Sequence, residues 1–377
     1  MISTLSTDLR AVSTPADLEL FLDVPERVYT NDPHWVPPLR SAIAAQLAPA
    51  NPFRTYGTLQ AFVALVQDKP VGRIVASINQ RLIEREGEPI GLFGYFECIP
   101  DLEIAKALFA AAEQWLRDRD IHRIRGPIDL STHNSCLFLV DGFDSQPAMM
   151  MPYNPPHYPQ FLEQLGWHKA KDAIAYDFLL DRELSKPFEK GYRIACQSGV
   201  TFRPIHTKGQ DFADDCEKIY DLFNRAFANN WSSTPRTLEE FLEEAKSLQS
   251  LVDPDLFPVA EYDGEMIGFW MGLPDYNIAL KHVGGKLDWI GILKFLWYRR
   301  KIDRARVIAV CSLPEYRRKM VPLALIYLGM QGGLKKGKPY QRAELSWVFE
   351  DNYASRKLIE AAGGKIYKTY RIYEKVL

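Results

Sequence analysis

Four groups of residues in this chain of 377 carry types that do chemistry. Arg317, Arg318 and Lys319 sit in "SLPEYRRKMVPLAL", after an apolar run and before a helical pattern. Cations at a helix start suit an anion, because free N–H groups and the helix dipole favour negative charge there. A solvated turn is the plain alternative. Glu344, in the strand-like "RAELSWV", is placed to act as a general base if its side chain points inward. If it points outward, it is an ordinary half-buried strand carboxylate. Asn352, Tyr353 and Arg356 open a later helical pattern, where Asp351 and Asn352 also suit helix caps. His133 and Asn134, in "STHNSC", can meet an acceptor molecule, although such a pair is more often a loop element. No HExxH, GxSxG or spaced carboxylate cluster is present, so protease, α/β-hydrolase and metal readings lack support.

The bulk composition narrows the class. The chain is 47% apolar and 25% charged with net charge −2, which gives no general attraction to nucleic acid or anionic lipid. Its five cysteines form no CxxC pair, so a reducing cytosol fits. The polar N-terminus lacks a signal-peptide core, and no apolar run is long enough for a bilayer span. A cytoplasmic location is expected.

The elements that must position these residues occur twice. "FVALVQDKPVGRIVASI" (62–78) and "FPVAEYDGEMIGFWMGL" (257–273) both read as β-hairpins, about 195 residues apart. "NPPHYPQFLEQLGWHKAKDAIAYDF" and "NYASRKLIEAAGGKIYKTYRIYEK" each start with Asn, at 154 and 352, and run through a short helix to a glycine stop. Between these landmarks each half repeats strand, helix, strand: "IGLFGYFECI", "DLEIAKALFAAAEQWLRDRD" and "IHRIRGPI" in the first, "RARVIAVCSL", "PEYRRKMVPLALIYLGMQGGLKK" and "RAELSWV" in the second. Two landmark pairs in one order at one spacing indicate a duplicated domain. The boundary is expected within 179–200, where charges, Pro187 and glycines collect.

This order resembles the GNAT superfamily of CoA-dependent N-acyltransferases, and the whole chain resembles a bacterial group of tandem GNAT-like proteins. "NDPHWVPPLR", "GYFECIPD" and "MPYNPPHYPQFLEQLGW" carry the likeness in the first half, and "VCSLPEYRRKMVPLAL" with "ELSWVFEDNYASRKLIEAAGG" in the second. The resemblance implies an α/β fold with mixed, mainly antiparallel sheets in two tandem domains, 1–185 and 190–377. It implies a gap between two strands of the second domain, where pantetheine extends the sheet. Val310, Cys311 and Ser312 would line that gap, Arg317, Arg318 and Lys319 would face the pyrophosphate, and Asn352 and Arg356 would lie near the cofactor. CoA or acetyl-CoA is the implied acyl donor, with no metal. The implied reaction is acyl transfer, acetyl being the expected group, to an amine of a small molecule. Glu344 is the expected base, and Tyr353, Tyr367 or water the substitute proton donor. A homo-oligomer is compatible; nucleic acid and membrane partners are not expected.

The chain departs from the family pattern twice. The loop glycines are replaced by Met320 and Pro322, which crowds the phosphate approach and removes one N–H donor. The family's tyrosine falls at Ile359, a core residue by type. In the first half, Asp101 and Glu103 stand where a basic loop would be, so that half is expected to be a support that shapes an acceptor cleft. An inactive binding or sensing module is therefore a second reading, and an aminoacyl or peptidyl transferase a third, by fold analogy. Finally, "LDWIGILKFLWYRRKIDRAR" (287–306) predicts an amphipathic helix over the cleft, with a buried seam and a lipid contact as alternatives.

Overall fold

The computed structural model describes residues 7–227 and 230–377. The reading of the N-terminus rests partly on 1–6, which lie outside the described residues. The strands are β1 (Asp8–Ala11), β2 (Gly57–Val66), β3 (Lys69–Asn79), β4 (Ile90–Cys98), β5 (Arg123–Gly126), β6 (Phe138–Asp141), β7 (His168–Leu179), β8 (Thr201–Pro204), β9 (Pro258–Tyr262), β10 (Glu265–Pro274), β11 (Arg304–Ser312), β12 (Arg342–Phe349) and β13 (Lys365–Val376). The helices are α1 (Pro15–Val28), α2 (Arg40–Leu47), α3 (Gln80–Glu86), α4 (Leu102–Arg117), α5 (His157–Gln164), α6 (Arg182–Gln197), α7 (Gly209–Phe227), α8 (Leu238–Leu248), α9 (Asn277–Leu280), α10 (Trp289–Tyr298), α11 (Val321–Gly333) and α12 (Tyr353–Ala361).

Both expected hairpins form. Their turns, Gln67-Asp68 and Asp263-Gly264, have positive φ at both central residues, the geometry that matches the twist of the flanking strands. The mixed sheet runs β1-β2-β3-β4-β5-β13-β7-β12-β11-β10-β9-β8, with β6 on β13. The two halves exchange their last strands. β13 pairs with β5 of the first half, β7 pairs with β12 of the second, and β7 and β13 pair with each other at the centre. Tyr373, from β13, is buried in the first-half core beside Phe93, Phe109 and Trp167.

The stretch 179–200, where the boundary is expected, holds α6, capped by Asp181, with Phe188 and Ala195 buried. A Cβ on Gly191 would stand 2.6 Å from the Leu323 Cβ, so this glycine permits close contact between α6 and α11 rather than chain flexibility. Its charges are the outer face of an amphipathic helix. The buried-seam alternative for 287–306 does not hold for α10. Trp289 is 72% and Trp297 63% exposed.

Strand exchange makes a local prediction. Tyr373→Ala should cost about 3–5 kcal/mol by urea unfolding, as for other large core aromatics. Amide exchange should speed up in β4, β5 and α4, although the substitution lies in the last strand of the chain.

Candidate active site

β11 and β12 run in parallel register only from Arg304–Arg342 to Val307–Leu345. Beyond that point they part. β11 continues on β10 as far as Ser312, and β12 continues on β7 as far as Phe349. The Leu313 amide donates to the Ile267 carbonyl at 2.9 Å. Antiparallel alternation then directs the Cys311 and Ala309 amides to β10, and turns the Val310 and Ser312 amides toward the gap. Ile308, Val310, Trp347 and Val348 are only half-buried although they lie mid-sheet. Cys311 is different from its two neighbours: its amide faces β10 and its thiol is buried, with burial pushing the thiol up to about 12.

The loop beyond the gap turns through Pro314–Lys319 and enters α11 at Val321. Met320 takes the left-handed conformation, φ 60°, which glycine accepts without strain. Arg317 and Arg318 are exposed at this turn. Lys319 turns away from it: its ammonium donates to the Ser198 carbonyl at 2.9 Å and lies 4.2 Å from the Tyr262 ring centre. First-turn N–H groups have no acceptor within the helix, and Pro322 has none to offer.

Glu344 occupies the last turns of the parallel register, where the strands are about to part. It is fully buried. Ser346 and Tyr367 hydroxyls both donate to its carboxylate. The buried Arg306 lies across from it in register and donates to the Ser346 hydroxyl at 3.1 Å and to the Met149 carbonyl. Burial raises the Glu344 pKa, against the pull of Arg306 and Ser346. Lys368, also buried, donates to the Gly142 and Ser145 carbonyls, and burial lowers its ammonium to about 8.

The first half repeats the frame with different contents. β4 and β5 part after Leu92–Arg125. Here the backbone is answered by side chains: the Tyr95 amide donates to Asp129 Oδ1 at 2.7 Å and the Cys98 amide to the Tyr158 hydroxyl at 2.8 Å. Asp101 caps α4 by accepting from the Glu103 and Ile104 amides. A cavity of about 360 Å³ lies beside these strands, walled by Trp35, Pro38, Ile43, Met150 and Leu280 and floored by Arg73, Glu97 and Asp129. Tyr29 and Tyr158 donate to Glu97 at 2.9 and 2.7 Å. Burial raises Glu97 and pushes Asp129 up to about 7. Two buried carboxyls beside one guanidinium balance their charge when one of them holds a proton.

The geometry agrees with comparisons of sequence and structure. The model of the acetyltransferase (GNAT) family matches residues 216–363. Protein YghO of Escherichia coli K12 is 33% identical over 95% of this chain and 93% of its own length. A protein of Caulobacter vibrioides named bacterial ceramide synthase is 33% identical over 97% and 96%. The chain belongs to the GNAT family. A tandem GNAT protein from the clavulanic acid biosynthesis pathway shares its fold, with TM-score 0.58, 14% identity and 98% of each chain covered. A GCN5-related N-acetyltransferase from Sphaerobacter thermophilus superposes with TM-score 0.54 at 15% identity, over 99% of this chain and 97% of its own.

The other residues singled out from sequence fall into two places. Asn352 caps α12, its side chain accepting from the Ser355 amide at 3.2 Å. Arg356 is tied to the Tyr176 hydroxyl at 3.2 Å and the Glu350 carbonyl at 2.8 Å, so it braces α12 against β7. Tyr353 is exposed on the first turn of α12. Ile359 packs against the second-half core. His133 and Asn134 lie away from the gap and fasten a loop. His133 Nε2 donates to the Thr234 carbonyl at 2.7 Å, and Asn134 donates to the Asp129 carbonyl at 2.8 Å. Burial and Arg236 hold His133 near 4, so it is a neutral staple between the halves. Sequence reasoning named Tyr367 only as one candidate proton donor, and missed Arg306, Ser346 and Lys368 around Glu344. Their alternation with apolar neighbours looks like that of any half-buried strand; only strand exchange brings β12 and β13 to the same polar cluster.

Two predictions follow from these positions. Replacing Met320 by glycine removes the left-handed penalty and should stabilise the fold by about 1 kcal/mol, read from the urea midpoint. Asp129 takes up a proton more readily in the folded state than at its ordinary 3.8, so its contribution is fully present at low pH and is lost as pH rises through about 7. Asp129→Asn keeps the acceptor for Tyr95. The stability difference between variant and native protein should therefore shift in favour of the variant as pH rises through that window.

Proposed function

We propose that this protein transfers an acyl group from a CoA thioester to the amine of an acceptor with an apolar tail. The observation that carries this reading is the parting of β11 from β12, with the Val310 and Ser312 amides left facing the gap. A pantetheine arm laid in that gap pairs with these amides as an extra strand would, and an amide beside the thioester carbonyl stabilises the oxyanion that forms on attack. The start of α11 with Arg317 and Arg318 takes the pyrophosphate.

The proton path uses Tyr367 and Glu344. The free amine attacks the carbonyl carbon, the C–N bond forms and the C–S bond breaks. Tyr367 gives its hydroxyl proton to the leaving thiolate; Glu344 takes the proton released by the amine and passes it on to the Tyr367 oxygen. The net products are amide and CoA thiol, with Glu344 ionised again. A raised carboxyl pKa brings Glu344 closer to working pH, which favours this shuttling.

Two features support an apolar acceptor. One of the two relatives of 33% identity, from Caulobacter vibrioides, is named for ceramide, an N-acylated long-chain amino alcohol. The first-half cavity has apolar walls above a polar floor of Glu97 and Asp129 with Arg73, so a long tail meets apolar side chains while a polar head meets hydrogen-bonding groups.

Calorimetry with CoA and a thioester-cleavage assay on a panel of amines test this. CoA should bind, and Arg317→Ala or Arg318→Ala should weaken it about tenfold, as for a lost charge-assisted hydrogen bond. Cleavage should be fastest with long-chain amino alcohols, and Glu344→Gln or Tyr367→Phe should slow it about 100-fold or more. Binding without turnover on any amine would make the protein a sensor instead; no binding would remove both readings.

A further inference from the structure

The outer face of α10 has no partner in the fold. Gly291, Phe295 and Tyr298 hold the helix to the body, Phe295 stacking on Tyr276 at 5.7 Å and Tyr298 on His282 at 3.6 Å. Asp288 caps its start by accepting from the Gly291 amide at 2.8 Å. Trp289, Ile290, Ile292, Leu293, Leu296 and Trp297 all face outward and are exposed. Helical spacing places 289, 293, 296 and 297 on one side. Such a continuous apolar surface on a chain of this kind marks a contact.

Charge decides between contacts. Residues 281–303 carry six Lys and Arg against two Asp, in a chain whose net charge is −2. Lys286, Lys294, Arg299, Arg300 and Lys301 are exposed and make no salt bridge among the described residues. A two-fold contact between copies would set this patch against itself and oppose like cations. An anionic lipid surface matches both parts: headgroups neutralise the cations while tryptophans and leucines enter the acyl boundary.

We infer that α10 lies in the interface of an anionic membrane and holds the protein on it, without spanning the bilayer. No helix among the described residues is long and apolar enough to cross a membrane. The docked face also lies near the first-half cavity. α9, which leads to α10, contributes Leu280 to the cavity wall, and the Gly285 carbonyl accepts at 3.1 Å from the amide of Arg40, the residue after the cavity-lining Leu39. An apolar acceptor dissolved in the membrane would thus meet the protein at its cavity. The inference goes beyond the proposed reaction and does not rest on it.

Sedimentation of the full chain with vesicles tests it, using phosphatidylcholine alone and phosphatidylcholine mixed with phosphatidylglycerol. Binding should need phosphatidylglycerol and should weaken with salt. Leu293→Glu/Trp297→Glu and, separately, Arg299→Glu/Arg300→Glu should each lower it about tenfold or more, with unchanged circular dichroism. Brominated acyl chains should quench tryptophan fluorescence of the native protein and not of the first variant. Absence of sedimentation with both vesicles overturns the inference, as does binding that neither variant alters. A dimer in light scattering that Leu293→Glu/Trp297→Glu splits, without vesicle binding, would assign the face to a second copy of the chain and also overturn it. The readout is binding rather than turnover, so its failure leaves the proposed acyl transfer standing.

Discussion

β12 has its hydrogen bonds met along one edge by β7, and that single fact frees its other edge. A mid-sheet strand that lost pairing on both sides would leave too many buried backbone groups unsatisfied. Because β7 belongs to the first half of the chain, the gap in the second half exists on the strength of the first. The central β7–β13 pair completes the arrangement, since each strand closes the sheet of the opposite half. The two halves are therefore not beads on a string, and α6 between them is a packed helix on α11 rather than a tether.

The buried charges follow from the same exchange. Glu344 and Arg306 face each other one pair before the parallel register ends, and Tyr367 and Lys368 arrive on β13. An isolated carboxylate at this depth would be untenable; hydroxyl donors and a neighbouring guanidinium make it tolerable. Its raised pKa and the lowered Lys368 pKa share one cause, the loss of water.

Duplication has divided the labour between equivalent positions. In the second half the strand edge beyond the parting point faces a gap. In the first, Asp129 and Tyr158 answer the Tyr95 and Cys98 amides, and Asp101 caps α4. Carboxylates at Asp129 and Asp101 make an anion unwelcome there, while the cavity beneath keeps room for another molecule. At Met320 the backbone adopts the left-handed shape that suits glycine, although the residue there is methionine.

Local pattern was enough for the hairpins, the strand-helix-strand repeats, the glycine stops and the GNAT-like order, because turn chemistry and apolar periodicity are properties of neighbouring residues. It was also enough to mark Glu344 and the cationic turn as worth watching. Which strands pair was not legible, since β5 with β13 and β7 with β12 are contacts between segments far apart in the chain. That pairing decided that Glu344 points into a closed polar cluster, that Lys319 and Arg356 brace the fold, and that His133 is a staple. The apolar run at 287–306 shows the limit most plainly. Periodicity says such a helix has an apolar face; only the packed structure decides whether that face meets the protein's own core or the solvent, and in α10 it meets the solvent.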